Sequence, residues 1–224
     1  MKRYWLYVLY GLGTLLVVGA IAFKVFQPVQ VVPRIRLSPG FSLIDQNGAS
    51  LTNEDLRGQF VLYNFTYTRC PEPCYNLDQT MQAIQARITE ADLGDIPMKF
   101  VTISFDPDHD TPEVLASYAN AVQADPAQWK FVTTQNKDLL KHIIGGSFEA
   151  YYEQKDDSTF AMAPKFVLVD GWGIIRGEYR YQTLAPDTDR ILRHIGVMAE
   201  EVRNSQGAAT LAYEAAHYFL CYTP

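Results

Sequence analysis

Twenty consecutive uncharged residues, Tyr4 to Phe23, constrain this chain more than any other stretch of it. A helix rises about 1.5 Å per residue, so a run of that length matches the ~30 Å hydrocarbon layer of a bilayer. Such a run either spans a membrane or is removed as a signal sequence. Ala20-Ile21-Ala22 would satisfy the small-residue rule for cleavage, but the run is longer than a signal's usual apolar core, which favours a retained anchor. Lys2 and Arg3 precede the run. The positive-inside rule therefore puts residues 1–3 in the cytoplasm and the bulk of the chain on the extracytoplasmic side of a bacterial-type cell membrane, as a single-pass protein.

The chain beyond the anchor has the length of one domain. The expected organisation is a cytoplasmic tip (1–3), a transmembrane anchor (4–23), a linker (24–39), one globular domain (40–205) and a C-terminal helical tail (206–224). Pro28, Pro33 and Pro39, interleaved with valines, suit an extended tether. The net charge of -6, with no lysine or arginine run, argues against nucleic acid as a partner, because phosphate binding needs a clustered basic footprint. Three cysteines are too few for a disulfide-dense secreted scaffold.

Along the domain, Phe41–Ile44, the turn signal Asn47-Gly48 and Leu51 predict a small hairpin. Thr52 or Asn53 then caps a short helix through Leu56. Gln59–Thr66 reads as a central strand buried on both faces. Leu77, Met81, Ile84 and Ile88 recur at spacings of three and four, which predicts a helix from Cys74 to Ile88 with one face on the sheet. Met98–Phe105 is a second buried strand, followed by a loop and a helix carrying Pro112 in its first turn, with Leu115, Tyr118, Ala119 and Val122 as its apolar stripe. A helix over Asn136–Ile144 ended by Gly145-Gly146, and a strand over Phe148–Tyr152, come next. Lys165–Val169 and Ile174–Tyr181 form strands around the turn at Asp170–Gly173. Asp187–Val202 is a closing helix with Ile191, Leu192, Ile195 and Met198 inward, and Ala208–Phe219 a short amphipathic one. That order is α/β, a thioredoxin-like fold with an N-terminal transmembrane helix.

The chemistry gathers at Cys70 and Cys74, between the buried strand and the helix. Backbone N–H groups and the helix dipole there favour thiolate. Pro71 and Pro73 fix φ between the two sulfurs. Glu72 disfavours a second negative charge, which Arg69 is placed to offset. Two cysteines flanked by prolines at a strand-to-helix switch are poor core filler, and a four-cysteine zinc site is excluded by count. A redox dithiol or a soft-metal site remains.

Three stretches carry a resemblance: F-S-L-I-D-Q-N-G (41–48), V-L-Y-N-F-T-Y-T-R-C-P-E-P-C (61–74) and V-T-I-S-F-D-P-D-H-D-T-P-E (101–113). Over roughly Phe41 to Arg203 the chain resembles the Sco/SenC family of membrane-anchored copper chaperones and thiol reductases. The resemblance implies a thioredoxin fold that binds copper through Cys70 and Cys74 and serves the binuclear copper centre of cytochrome c oxidase. The partners it implies are the copper-site subunit of a respiratory oxidase and other copper carriers or thiol reductases. The family's third ligand is a histidine. Counting back from Asp170, that position here is Met162, and no histidine lies between His142 and His194. Two thiolates and a thioether suit Cu(I) better than Cu(II), which makes Met162 a candidate ligand, weighed against an ordinary gap-filling role. Ala163-Pro164 falls where redox thioredoxins carry a cis-proline facing the dithiol. The alternative function is therefore a thiol-disulfide oxidoreductase, with Cys70 attacking and Cys74 resolving, and no stable copper.

Other residues are weaker candidates. His109 lies in the D-P-D-H-D loop, where a solvated role is favoured over a ligand or proton donor. Asp106 and Asp110 are expected to cap and turn the chain. His142 and His194 are expected at the surface. His217 and Cys221, four apart, share a helix face but make only two ligands. Tyr63, Tyr67, Trp129 and Trp172 suggest core and rim packing. Thr68 is the one match to a peroxide-reducing pattern, and no hydrolase or phosphate-loop motif occurs.

Overall fold

The computed structural model describes residues 2–26, 29–70, 75–156, 159–180 and 184–219. Helix α1 (Lys2–Phe26) is long and apolar enough to cross a membrane over Tyr4–Ala22, and none of that stretch is buried in the protein. A two-residue edge strand, β1 (Arg36–Leu37), precedes the predicted hairpin, β2 (Ser42–Asp45) and β3 (Ser50–Thr52). Gly48 supplies the positive φ, 79°, that its turn requires. The short helix is a 3-10 turn, Glu54–Leu56, entered by reciprocal bonds between Thr52 and Asp55, while Asn53 instead accepts the Phe41 N–H at 3.1 Å.

Strand β4 (Phe60–Thr66) is buried at all seven positions. Phe60 and Leu62 face one core, and Val61, Tyr63 and Phe65 the other, the period of two expected of a strand covered on both sides. Helix α2 (Tyr75–Arg87), β5 (Met98–Ser104) and α3 (Pro112–Ala121) come next. Thr111 accepts the Val114 N–H, and Pro112 fills the first turn, where its missing N–H costs nothing. Then come β6 (Trp129–Thr133), α4 (Lys137–Leu140), the hairpin β7 (Tyr152–Gln154) and β8 (Phe160–Met162), β9 (Lys165–Val169), β10 (Ile174–Arg180), α5 (Leu184–Asn204) and α6 (Ala209–Phe219).

Eight strands make one sheet in the order β1-β10-β9-β4-β5-β6-β2-β3, with β4, β5 and β6 parallel and the remaining pairings antiparallel. Helices α2, α3 and α5 cover one face through Leu77, Met81, Ile84, Leu115, Ile191 and Ile195. On the other face lie Leu140, Ile143, Ile144 and Phe148.

Several elements differ from the sequence expectation. Strand β6 has no counterpart in it. The helix over 136–144 is shorter as an α-helix and widens into a π-helical stretch, Lys141–Ser147. Phe148–Tyr152 is not a strand, because the Phe148 and Ala150 N–H groups still bond back to Ile143 and Ile144; β7 begins only at Tyr152. Of the proline-bearing segment before the domain, residues 24–26 continue α1, and from Val31 on the chain is packed. Val31 and Val32 have no exposed surface, and Arg36 and Leu37 pair with Ile175 and Ile174 of β10. Full burial of a valine is worth at most ~1.5–3 kcal/mol, enough to hold this segment on the sheet edge. The buried Arg176 adds to it by donating to the Val32 carbonyl at 2.6 Å while pairing with Asp170 at 3.0 Å and Glu201 at 2.6 Å.

Candidate functional site

At the C-terminal end of β4 the chain leaves the sheet through Tyr67, Thr68, Arg69 and Cys70. Cys70 is half-buried, packs on the second core cluster, and donates its N–H to the Tyr67 carbonyl at 3.2 Å. It is disulfide-bonded. Of the other cysteines, Cys74 and Cys221 both lie outside the described residues, as do Pro71, Glu72 and Pro73.

Asp110, which the sequence suggests only as a turn residue, organises this exit. Its side chain has no exposed surface and accepts the Thr68 N–H at 3.0 Å, the Thr68 hydroxyl at 2.5 Å and the Ser104 hydroxyl. Three donors converging on one buried carboxylate are charge-assisted and fix the residues just before Cys70. Asp106, also buried, receives Arg69 through two bonds, at 2.6 and 3.2 Å, so the guanidinium beside Cys70 is held in the 106–110 loop. Ser104 in turn accepts the Asp106 N–H at 3.1 Å.

The β7–β8 hairpin closes over the same end of the sheet. Phe160 lies 4.9 Å from Tyr67 and 5.2 Å from Phe105 between ring centroids, and Tyr152 stacks on Phe105 at 4.7 Å. The Phe160 N–H donates to the Tyr67 hydroxyl at 3.4 Å. Met162, two residues on and paired with Tyr152, is half-buried and packs on both core clusters, sharing with Cys70 the cluster that includes Tyr67. Ala163 and Pro164 make the step from β8 to β9, with the Ala163 N–H bonded to the Tyr151 carbonyl at 3.0 Å. A cleft of about 270 Å³ opens beside the hairpin, lined by Phe105, Asp106, Asp108, Lys137, Tyr152 and Phe160.

Beneath the start of α2, Asp78 is 4 % exposed and accepts a hydrogen bond from the Tyr118 hydroxyl. Burial pushes its carboxyl up to about 6, against the opposing pull of that bond.

The histidines divide. His109 and His142 are exposed. His194, expected at the surface, is instead 2 % exposed, with Nδ1 2.7 Å from the Tyr179 hydroxyl. Burial, with Arg193 and Arg190 nearby, depresses it to about 4, so it stays neutral at ordinary pH. His217 places Nε2 2.9 Å from the buried carboxylate of Glu201, which docks α6 on the domain. Among the described residues no three His, Cys, Asp or Glu side chains group as a metal cluster.

Sequence reasoning finds Cys70 and the loop but misses Asp110 as a hub and Phe160 as a clamp. The one signal for Asp110 is its place in the D-P-x-x-D loop; its partner Thr68 is 42 residues away in sequence.

The sequence profile described as SCO1/SenC matches residues 31–200. A SCO2-like protein of Rickettsia typhi is 35 % identical over 133 residues, 56 % of this chain and 64 % of its own length, so the match spans less than two thirds of that relative. The copper-bound structure of ScoI from Bradyrhizobium japonicum is 26 % identical with a TM-score of 0.52, covering 69 % of this chain and 98 % of that one. BsSco, a member of the Sco family of cytochrome c oxidase assembly proteins in which a disulfide switch was identified, shares the fold with a TM-score of 0.65 at 21 % identity, over 76 % and 97 % of the two chains.

Proposed function

The chain belongs to the SCO1/SenC family, and from that we propose that it is a membrane-anchored chaperone that carries copper to, or prepares the dithiol of, a cytochrome c oxidase copper centre. Cys70 and Cys74 are the working pair. The observation that carries this reading is a half-exposed, disulfide-bonded Cys70 at the exit of the central strand, with the Met162 thioether packed on the same core cluster.

The oxidised sulfur is not a copper ligand. A thiol reductant must first supply two electrons and two protons, breaking the S–S bond and leaving two thiols. Copper is the cargo: Cys70 and Cys74, as thiolates, would hold it with Met162, and binding releases the thiol protons, so affinity rises with pH. A set of soft sulfur donors favours Cu(I) over Cu(II). The buried Asp110 and the Arg69–Asp106 pair fix the backbone leading to Cys70, which lowers the ordering cost of closing the pair on a metal. The anchor is α1, with the domain on the extracytoplasmic side.

One observation favours a second reading, a thiol-disulfide oxidoreductase without stable copper: no histidine occurs between His142 and His194. Titrating the reduced full chain with Cu(I) separates the two. The chaperone reading expects one tightly held Cu(I), lost in Cys70→Ser and in Cys74→Ser and held at least about tenfold more weakly in Met162→Ala. Unchanged stoichiometry in both cysteine variants rules it out. A chain that retains no copper but forms a mixed disulfide through Cys70 in Cys74→Ser is the oxidoreductase.

A further inference from the structure

Helix α6 is built inside out. A surface helix ordinarily turns its apolar stripe to the core and its charges to water. The two charge-bearing residues of α6 both point at the domain: Glu214 receives Arg34 through two bonds at 2.9 and 3.0 Å, and His217 meets Glu201 at 2.9 Å. Its outward face is apolar. Leu211 is 77 % exposed and Tyr218 81 %, with exposed Ala212 and Ala215 between them. Positions 211, 215 and 218 fall at the i, i+4, i+7 spacing of one helix face. No charged side chain interrupts that stripe.

The chain's own connectivity indicates what covers it. On the inner side of α6, Tyr213 and Ala216 pack on Val31, which has no exposed surface. α1 ends at Phe26, so only five residue steps separate the anchor from a residue locked under α6. At no more than ~3.6 Å per step the reach is about 18 Å. α1 has 25 residues and is ~37 Å long, enough to cross the hydrocarbon layer and enter the headgroups. A helix held that close to the headgroup layer, with an uncharged outer stripe ending in a tyrosine, has the character of an interfacial element.

We infer that the Leu211–Ala215–Tyr218 face of α6 lies in the headgroup region of the membrane that α1 spans, seating the domain on the lipid. The inference rests on the anchor reading of α1. It also sets the site's direction. Arg34 and Glu214 line a cleft of about 930 Å³ with Gly58 and Phe60, at the start of β4, whereas Cys70 lies beyond the other end of that strand. Seven residues of strand span ~23 Å, so the cysteine end points away from the bilayer.

The test uses the full chain, with Cys70, Cys74 and Cys221 replaced by serine, in phosphatidylcholine/phosphatidylglycerol vesicles. Spin labels are placed singly at Leu211→Cys, Ala215→Cys and Tyr218→Cys, at Leu12→Cys within α1, and at the exposed Asn204→Cys. The readout is the collision rate with oxygen relative to that with an aqueous nickel chelate. The inference expects the three α6 labels to show a several-fold higher ratio than the label at 204, in the direction of the label at 12. If the label at 12 reports lipid while those on α6 match position 204, the seating is refuted and the anchor stands. If the label at 12 reports water, the anchor reading itself fails. If the α6 labels broaden one another and the broadening vanishes on dilution with unlabelled chain, a second copy covers the stripe and the lipid assignment is overturned.

Discussion

Replacing Asp78 by asparagine should make the protein more stable at neutral pH, and the amount is set by where that carboxylate sits. It lies in the first turn of α2, yet it is 4 % exposed, and desolvation outweighs the opposing pull of the Tyr118 and Asn64 side chains. Its pKa of about 6 in the fold exceeds the ordinary 3.8. Between those values the native state holds a proton that the unfolded chain has lost, so the group's contribution to stability falls as pH rises through that window. The full difference corresponds to about 3 kcal/mol at neutral pH. Asparagine keeps an acceptor for Tyr118 and nearly the same shape, but never ionises. Urea unfolding of the wild type and Asp78→Asn in the same detergent, monitored by circular dichroism at pH 4 and at pH 7.5, isolates the effect, because groups unaltered by the substitution cancel in the difference. The variant should match the wild type at pH 4 and exceed it by up to about 3 kcal/mol at pH 7.5. Parallel stabilities at both pH values would refute the assignment of a carboxyl held protonated by burial.

Three further outcomes are expected. Asp110→Asn replaces an acceptor of three hydrogen bonds with a group that must donate on one side, which should cost about 2–4 kcal/mol in urea unfolding and weaken Cu(I) retention by loosening Thr68; undiminished stability and copper binding would contradict it. His194 carries the opposite sign from Asp78: its pKa of about 4 lies below the usual 6.5, so the unfolded state gains a proton first and stability drops as pH falls through that range, by about 3 kcal/mol. His194→Gln should lose that pH dependence, measured as the difference from wild type at pH 4 and pH 7. Arg176→Met removes the buried cation shared by Asp170 and Glu201, leaving Glu201 with His217 and Asp170 with backbone donors, and frees the Val32 carbonyl, for a cost of about 3 kcal/mol in chemical unfolding; a neutral result would mean that the buried network relaxes into water.

The parts of the fold legible in the sequence are those with local signals. The seven-residue run of β4 announces a strand buried on both faces, Asn47-Gly48 a hairpin, and Thr111-Pro112 the start of a helix. Strand β6 carries no such bracket: Trp129–Thr133 is five residues long, and its tryptophan reads equally well as generic core. The edge strand β1 reads as tether because prolines mark extended backbone without showing whether a neighbouring strand pairs with it. At the site, the cysteines stand out by type and spacing. What holds them does not, since Asp110 and Thr68 meet only after β5 is laid beside β4. His194 is misplaced by sequence reasoning for the same reason, as only the fold brings the Tyr179 hydroxyl to its ring.

With α1 as the proposed anchor, the short bridge between Phe26 and the buried Val31 would also govern how the protein finds a client. A domain on a long leash searches a hemisphere, whereas one mounted five residues above its anchor drifts sideways in a thin sheet of space. Its encounters become two-dimensional, and a client embedded in the same bilayer meets it at a much higher effective concentration than any soluble competitor. Lengthening that bridge with a flexible insert would exchange this lateral bias for vertical reach.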